Sequence, residues 1–138
     1  MAHILLMEGN EGRTPSLATS LKRLGYDVEV SATPEKAIAK LLSQSFDLLI
    51  ADLDMRNDGA ATDDAGAQVI NIVRDPRFRS VNASFSDIPI LAVSQRNVNQ
   101  QGAPMKAMAK SMGATDFLER SASFARLRAA VSVSIALR

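Results

Sequence analysis

The sequence predicts an α/β protein, a doubly wound parallel sheet of five strands with five helices, forming a single domain over residues 1–138. Short apolar runs and segments of helical periodicity alternate along the whole chain. Most of the runs are apolar at every position, which is typical of strands covered on both faces. With 138 residues, 46% of them hydrophobic and only 4% aromatic, the chain can bury one aliphatic core.

Each predicted strand is a short apolar run bounded by polar or turn-forming residues. The second run alternates between apolar and polar residues, and Pro89 falls near the start of the fourth, where a missing N–H matters least. We predict strands at residues 3–7, 26–30, 47–51, 88–93 and 116–118.

The helices are predicted where apolar residues recur every three or four positions. Thr33 followed by Pro34 is typical of an N-cap and a first turn, while Gly25 and Gly113 are typical helix stops. The last segment also alternates like a strand at residues 131–135, but its length favours a helix. We predict helices at residues 14–24, 33–42, 67–74, 104–112 and 123–138, and loops at residues 56–64 and 77–87.

Composition excludes several classes of function. The formal net charge of +1 gives no basis for binding nucleic acid or an anionic membrane. The absence of cysteine removes disulfides, thiolate nucleophiles and cysteine-based zinc sites. Since no apolar run approaches the roughly 18–20 residues of a membrane span, and the N-terminus lacks the features of a signal peptide, we expect a soluble, cytoplasmic protein.

Polar residues follow the predicted strands at the edge where a parallel sheet binds its ligands. Glu8 follows the first strand, Asp52 and Asp54 the third, Ser94 the fourth and Arg120 the fifth. Clustered carboxylates repel one another unless a cation intervenes, and Mg²⁺ is the hard ion that prefers them. A carboxylate, a metal, a hydroxyl and a cation around one point form a set suited to phosphoryl chemistry.

Each of these residues also has a purely structural interpretation. Asp52 and Asp54 can close a strand in a solvated turn, Glu8 can be a solvated strand end, and Ser94 can simply terminate its strand. Arg120 can pair at the surface with Glu119 or Asp116, a contact of little energetic weight. We expect His3 to have no functional role.

The motifs ILLMEG, LKRLGYDVEVSATPEKAIAKL, FDLLIADLDM, IPILAVS and GATDFLER, in this order, resemble the receiver domain of two-component response regulators over essentially the whole chain. The resemblance implies a flavodoxin-like (CheY-like) fold and phosphorelay signal transduction, in which an aspartate accepts a phosphoryl group from a histidine kinase with Mg²⁺. It makes Asp52 the phospho-acceptor, with Ser94 and Arg120 beside the phosphoryl group. It makes Ser94 and Phe117 the switch residues, and Glu8, Asp52 and the backbone carbonyl of Asp54 the metal ligands.

The sequence departs from this family pattern at several positions. Gly9 replaces the second acid after the first strand, Arg120 replaces a lysine with which it is not interchangeable, and Ser121 and Arg56 replace prolines. We expect the loss of one carboxylate ligand to weaken metal affinity by roughly tenfold to several hundredfold, since about 1.4 kcal/mol of binding free energy corresponds to a factor of ten in affinity. The segment 55–66 is also longer than the family's loop. Substitute ligands are available at Asn10, Asp58, Asp63 and Asp64.

Three functions follow. The first is an active receiver, which a histidine kinase or phosphotransfer protein phosphorylates. It would bind an output protein through the face formed by helix 104–112, strand 116–118 and helix 123–138. Formation of a homodimer is left as an open alternative. The second is a degenerate receiver that binds a partner without phosphorylation. The third is a haloacid-dehalogenase-type phosphohydrolase, because DLDM resembles that family's D-x-D signature, although there the motif lies on the first strand. The two receiver functions predict no conventional enzyme, since an active receiver at most catalyses its own phosphorylation. Only the phosphohydrolase would be a conventional enzyme.

Overall fold

The computed structural model describes residues 2–8, 17–54, 65–79, 86–98 and 102–137. The strands within them are β1 (His3–Met7), β2 (Asp27–Ser31), β3 (Leu48–Asp52), β4 (Ile90–Ser94) and β5 (Asp116–Glu119). They form one sheet in the order β2-β1-β3-β4-β5. Every neighbouring pair is parallel, which confirms the predicted doubly wound sheet. The chain reverses its winding direction between β1 and β3, so a crevice opens at their carboxyl ends.

Helices cover both faces of the sheet. They are α1 (Leu17–Arg23), α2 (Pro34–Ser43), α3 (Ala65–Arg74), the four-residue α4 (Pro76–Arg79), α5 (Met105–Met112) and α6 (Phe124–Ala136). Successive side chains of a strand point to opposite faces, so Ile4 packs with α1 and α6, while Leu5 packs with α2, α3 and α5. Leu21 and Leu127 belong to the first of these two layers.

The predicted helix ends are confirmed where a cap specifies them. The Thr33 hydroxyl accepts a hydrogen bond from the Lys36 backbone N–H at 3.2 Å, with Pro34 in the first turn of α2. Gly113 ends α5 with a φ of 117°, a left-handed conformation that glycine adopts at little cost.

The ambiguous last segment is a helix, as its length predicts. Ser123 caps α6 by accepting a hydrogen bond from the Arg126 backbone N–H at 3.2 Å. At 13 residues α6 is the longest described helix, and none of the helices in the described ranges is long and apolar enough to cross a membrane.

The loop predicted at residues 77–87 is wrong at its start, where α4 (Pro76–Arg79) forms. Asp75 caps it, because its carboxylate accepts a hydrogen bond from the Arg77 backbone N–H at 2.9 Å. The Arg77 side chain also donates to this carboxylate and lowers the pKa of Asp75 to about 2. The Asp-Pro sequence is a helix-start signal that the prediction overlooked. Helix α3 likewise begins two residues before the predicted start at 67.

An ionic cluster at the amino end of the sheet gives a pH-dependent prediction. Glu29 Oε1 accepts a hydrogen bond from Lys40 Nζ at 2.7 Å, and Glu29 Oε2 lies 2.7 Å from His3 Nε2. The hydrogen bond from Lys40 is the main cause that lowers the pKa of Glu29. A carboxyl group with a lowered folded-state pKa stabilises the protein above its unfolded value, and this contribution is lost as the pH falls through the folded value.

We therefore expect Glu29→Gln to lower the free energy of unfolding by less than about 1 kcal/mol near neutral pH. The deficit should vanish in acid, below the lowered pKa of Glu29, where the wild-type carboxyl is itself neutral. Urea unfolding of both proteins at several acid pH values measures this difference in the free energy of unfolding. A deficit that persists in acid would show that the ionised Glu29 carboxylate is not its cause.

Candidate functional site

The acids and the hydroxyl predicted at the strand ends lie together and are buried. Glu8 directly follows β1, Asp52 is the last residue of β3 and Ser94 the last of β4; their exposed fractions are 1%, 0% and 0%. The alternative interpretations, a solvated strand end at Glu8 and a solvated turn at Asp52, are therefore wrong. Buried carboxylates need partners that compensate their charge.

Arg120 supplies that partner. Its Nη1 donates to Asp52 Oδ2 at 3.1 Å and its Nη2 donates to Glu8 Oε1, while the whole side chain is only 9% exposed. Its backbone N–H donates to the Ser94 carbonyl at 2.7 Å, which fixes the base of the side chain at the end of β4. The alternative interpretation, a surface pairing of Arg120 with Glu119 or Asp116, is not what the structure shows. A planar guanidinium can serve two carboxylates at once, which a compact ammonium does less well.

The side chain of Asp54 has a role that the sequence did not indicate. Its Oδ1 accepts a hydrogen bond from Ser94 Oγ at 2.8 Å, and its Oδ2 accepts one from the Gln95 backbone N–H at 2.6 Å. Its own backbone N–H donates to Asp52 Oδ1 at 2.8 Å. Asp54 therefore links the acid of β3 to the loop after β4. The spacing of the two aspartates is that of an Asx-turn, a local signal that could have predicted the last contact.

The two predicted switch residues differ in their surroundings. Ser94 Oγ also accepts a hydrogen bond from the Arg96 backbone N–H at 3.1 Å, so the hydroxyl is held on two sides. Phe117 is half-buried, lies beside Ala92 in the sheet and packs against the core cluster that contains Leu5. The polar network thus unites Glu8, Asp52, Asp54, Ser94 and Arg120, and Phe117 lies in the adjoining apolar core.

The residues of this network fit a divalent cation poorly. The Arg120 guanidinium binds both Glu8 and Asp52, and it is the cation their carboxylates share. Across the described ranges, no group of three or more His, Cys, Asp or Glu side chains is arranged to hold a metal ion. Gly9 and the substitute ligands predicted at Asn10, Asp58, Asp63 and Asp64 lie outside the described residues.

Gly66, near the start of α3, is a site-supporting residue that the sequence analysis missed. A Cβ at this position would lie 2.3 Å from the Asp52 carbonyl oxygen and 2.9 Å from its carbonyl carbon. Both are backbone atoms of the strand that carries the acid, so they cannot turn aside as a flexible side chain would. Only the tertiary packing of α3 on β3 reveals this need for glycine.

We expect Gly66→Ala to destabilise the protein by about 1–3 kcal/mol, the usual cost of overpacking. The sign of the change in the free energy of unfolding is diagnostic, because Gly→Ala at an unstrained helical position normally stabilises a protein by about 0.4–1 kcal/mol. Denaturant unfolding of the variant measures the difference, and a stabilised Gly66→Ala protein would show that α3 does not press on Asp52.

Solved structures resemble the chain over nearly its full length. The chemotaxis protein CheY4 of Vibrio cholerae superposes with a TM-score of 0.74 and 22% identity, covering 97% of this chain and 98% of that one. The receiver domain of a sensor histidine kinase from Pseudomonas aeruginosa, with a magnesium ion in its active-site cleft, gives 0.75 and 19%, covering 98% of each chain. A response regulator from Desulfuromonas acetoxidans gives 0.71 and 22%, covering 99% and 98%. No protein-family model and no curated protein sequence matches the chain.

These similarities define the fold class. The chain has the CheY-like flavodoxin fold, and its structural neighbours are response-regulator receiver domains. The predicted fold and the predicted resemblance are confirmed at this level. The DLDM motif lies at the end of β3 in the middle of the sheet, not on the first strand, where a haloacid-dehalogenase-type enzyme carries it.

Proposed function

We propose that this chain is a receiver-type signalling module that acts through protein contacts and does not depend on phosphorylation. One observation carries the proposal: the Asp52 carboxylate is fully buried, with the Asp54 backbone N–H on one oxygen and the Arg120 guanidinium on the other. A phospho-acceptor has to present an oxygen to its donor, so this network would have to open first. Fold similarity alone does not assign a function, and the proposal rests on the site.

The Ser94 hydroxyl supports the same conclusion. A receiver that responds to phosphorylation uses this hydroxyl on the phosphoryl group. Here Ser94 Oγ accepts from the Arg96 backbone N–H and donates to Asp54 Oδ1, so its single O–H donor, the group that a phosphoryl oxygen would need, is already committed. In this resting arrangement, Asp52 and Ser94 are bound to parts of the protein itself.

The proposed output surface is the face of α5, β5 and α6. Of the exposed large apolar side chains in the described residues, Phe124, Val133 and Leu137 lie on or directly after α6, with exposed fractions of 49%, 56% and 66%. Val133 and Leu137 are four residues apart and therefore lie on one side of the helix, where a protein partner can cover them, whereas Phe124, nine residues before Val133, lies on the opposite side. An output protein, or a second copy of the chain, is the expected occupant.

Phosphorylation of Asp52 with Mg²⁺, the family's activity, is the second candidate. It is favoured by the convergence of an acid, a hydroxyl and a cation, Asp52, Ser94 and Arg120, at the carboxyl edge of the sheet. A histidine kinase or phosphotransfer protein would then supply the phosphoryl group to the Asp52 carboxylate. The poor fit of the present residues to a divalent cation weighs against it.

Exposure to a small phosphoryl donor distinguishes the two candidates. The protein is incubated with acetyl phosphate and millimolar Mg²⁺ beside a receiver domain of established phospho-acceptance, and intact mass is measured over time. We expect no phosphoryl increment on this chain while the reference protein is modified. An increment on the wild type that Asp52→Asn abolishes would overturn the proposal and establish the second candidate.

A further inference from the structure

We propose that Arg120 is the resident cation of this site: its guanidinium compensates the charge of Glu8 and Asp52 in place of a divalent ion. Two consequences follow. The wild-type site assembles without metal, and removal of Arg120 turns Glu8 and Asp52 into a site for a divalent cation. The proposal is independent of whether Asp52 accepts a phosphoryl group.

The geometry of Arg120 is that of a bridge between strands. In the sheet, β5 is separated from β1 by β4 and β3. The backbone of Arg120 is held at the end of β4 by the Ser94 carbonyl, and its two terminal nitrogens reach the acids after β1 and at the end of β3. One residue therefore joins the carboxyl ends of four strands, and its side chain alone links the acids of β1 and β3, the structural task that a metal ion performs when its ligands come from several strands.

The same geometry opposes metal binding. Guanidinium nitrogens carry only donors, so Arg120 cannot be a metal ligand. A divalent ion bound to both acids would lie next to a guanidinium that is 9% exposed and cannot readily move its charge into water. The ion would have to displace it, and a buried charge without its partners is costly.

Removal of Arg120 should instead favour metal binding. Glu8 and Asp52, 1% and 0% exposed, would remain as two buried carboxylates of like charge. Such a pair either takes up a proton or binds a cation. An oxygen-only pair of carboxylates suits Mg²⁺ or Mn²⁺, which complete their coordination with water.

The test compares Arg120→Gln with the wild type by thermal unfolding, first with a chelator and then with increasing Mg²⁺ or Mn²⁺ at constant ionic strength. We expect the wild-type midpoint to stay constant and that of Arg120→Gln to rise with either metal by on the order of a few °C. Arg77→Gln is the matched control, since it removes an arginine from a surface pair with Asp75, and it should respond no more than the wild type.

Two results would overturn the proposal. One is a wild-type midpoint that rises with Mg²⁺ and loses that response in Asp52→Asn, which would mean that the metal site exists beside Arg120. The other is an Arg120→Gln protein that folds but ignores both metals. If Arg120→Gln fails to fold in the presence of the chelator, recovery of its folded circular-dichroism spectrum on addition of Mn²⁺ supports the proposal. The metal titration of the wild-type protein tests the proposal even without the variant. No phosphoryl donor is present, so these outcomes are separate from those of the phosphorylation experiment.

Discussion

Arg120→Met should lower the free energy of unfolding by about 3–5 kcal/mol, the usual effect of removing one partner from a buried ion pair. Methionine keeps most of the apolar stem of arginine but none of its charge or donors. Glu8 and Asp52 would keep their burial and lose the cation that both now contact. The loss should therefore exceed that of any exposed arginine of the chain, for which Arg77→Met is the comparison.

A second substitution tests whether charge is the cause. Glu8→Gln in the Arg120→Met background removes one of the two like charges, so the double variant should be more stable than Arg120→Met alone. Glu8→Gln by itself should cost less than Arg120→Met, because Asp52 keeps its guanidinium. Urea unfolding of the four proteins gives the coupling free energy directly. Additive losses would mean that Arg120 contributes packing and not charge compensation.

The sequence predicts the sheet well because its signals are local. Apolar runs such as residues 48–51 are short and unbroken, as in strands buried on both faces, and caps such as Thr33 and Gly113 mark helix ends by short-range backbone chemistry. The missed helix Pro76–Arg79 has a single turn, too short to produce a periodic pattern, and Asp75 before Pro76 was its only signal.

The site is less predictable, for a physical reason. Parallel strands bring their carboxyl ends to one edge, so the neighbourhood of Glu8, Asp52, Ser94 and Arg120 follows from element order alone. Which partner each side chain contacts depends on how far it extends across neighbouring strands, and no local sequence pattern encodes that tertiary contact. The sequence predicted Arg120 at the strand ends with Asp52 and left a surface pairing with Glu119 or Asp116 open, but it did not indicate that the guanidinium also binds Glu8, 112 residues away. Gly66 was missed in the same way.

Asp54→Ala should lower the free energy of unfolding by about 2–3 kcal/mol, because the carboxylate accepts hydrogen bonds from Ser94 Oγ and the Gln95 backbone N–H, and bonds to a charged group contribute about 1.5–3 kcal/mol. Asp54→Asn should lose less, since its amide oxygen can still accept one of the two. Amide hydrogen exchange at Gln95 should quicken in both variants, more in the alanine protein.

This pair of variants also separates two roles of one residue. The family resemblance gives Asp54 a role through its backbone carbonyl, which alanine retains, whereas the structure gives it a role through its side chain, which alanine removes. If the carbonyl alone mattered, Asp54→Ala would unfold like the wild type and Gln95 would exchange at its wild-type rate. If the side chain holds β3 to the loop after β4, Asp54→Ala frees the Ser94 hydroxyl from its acceptor. Ser94→Ala should then cost less in that background than in the wild type, because the hydrogen bond to Asp54 is already gone and only the one from the Arg96 backbone N–H remains to be lost.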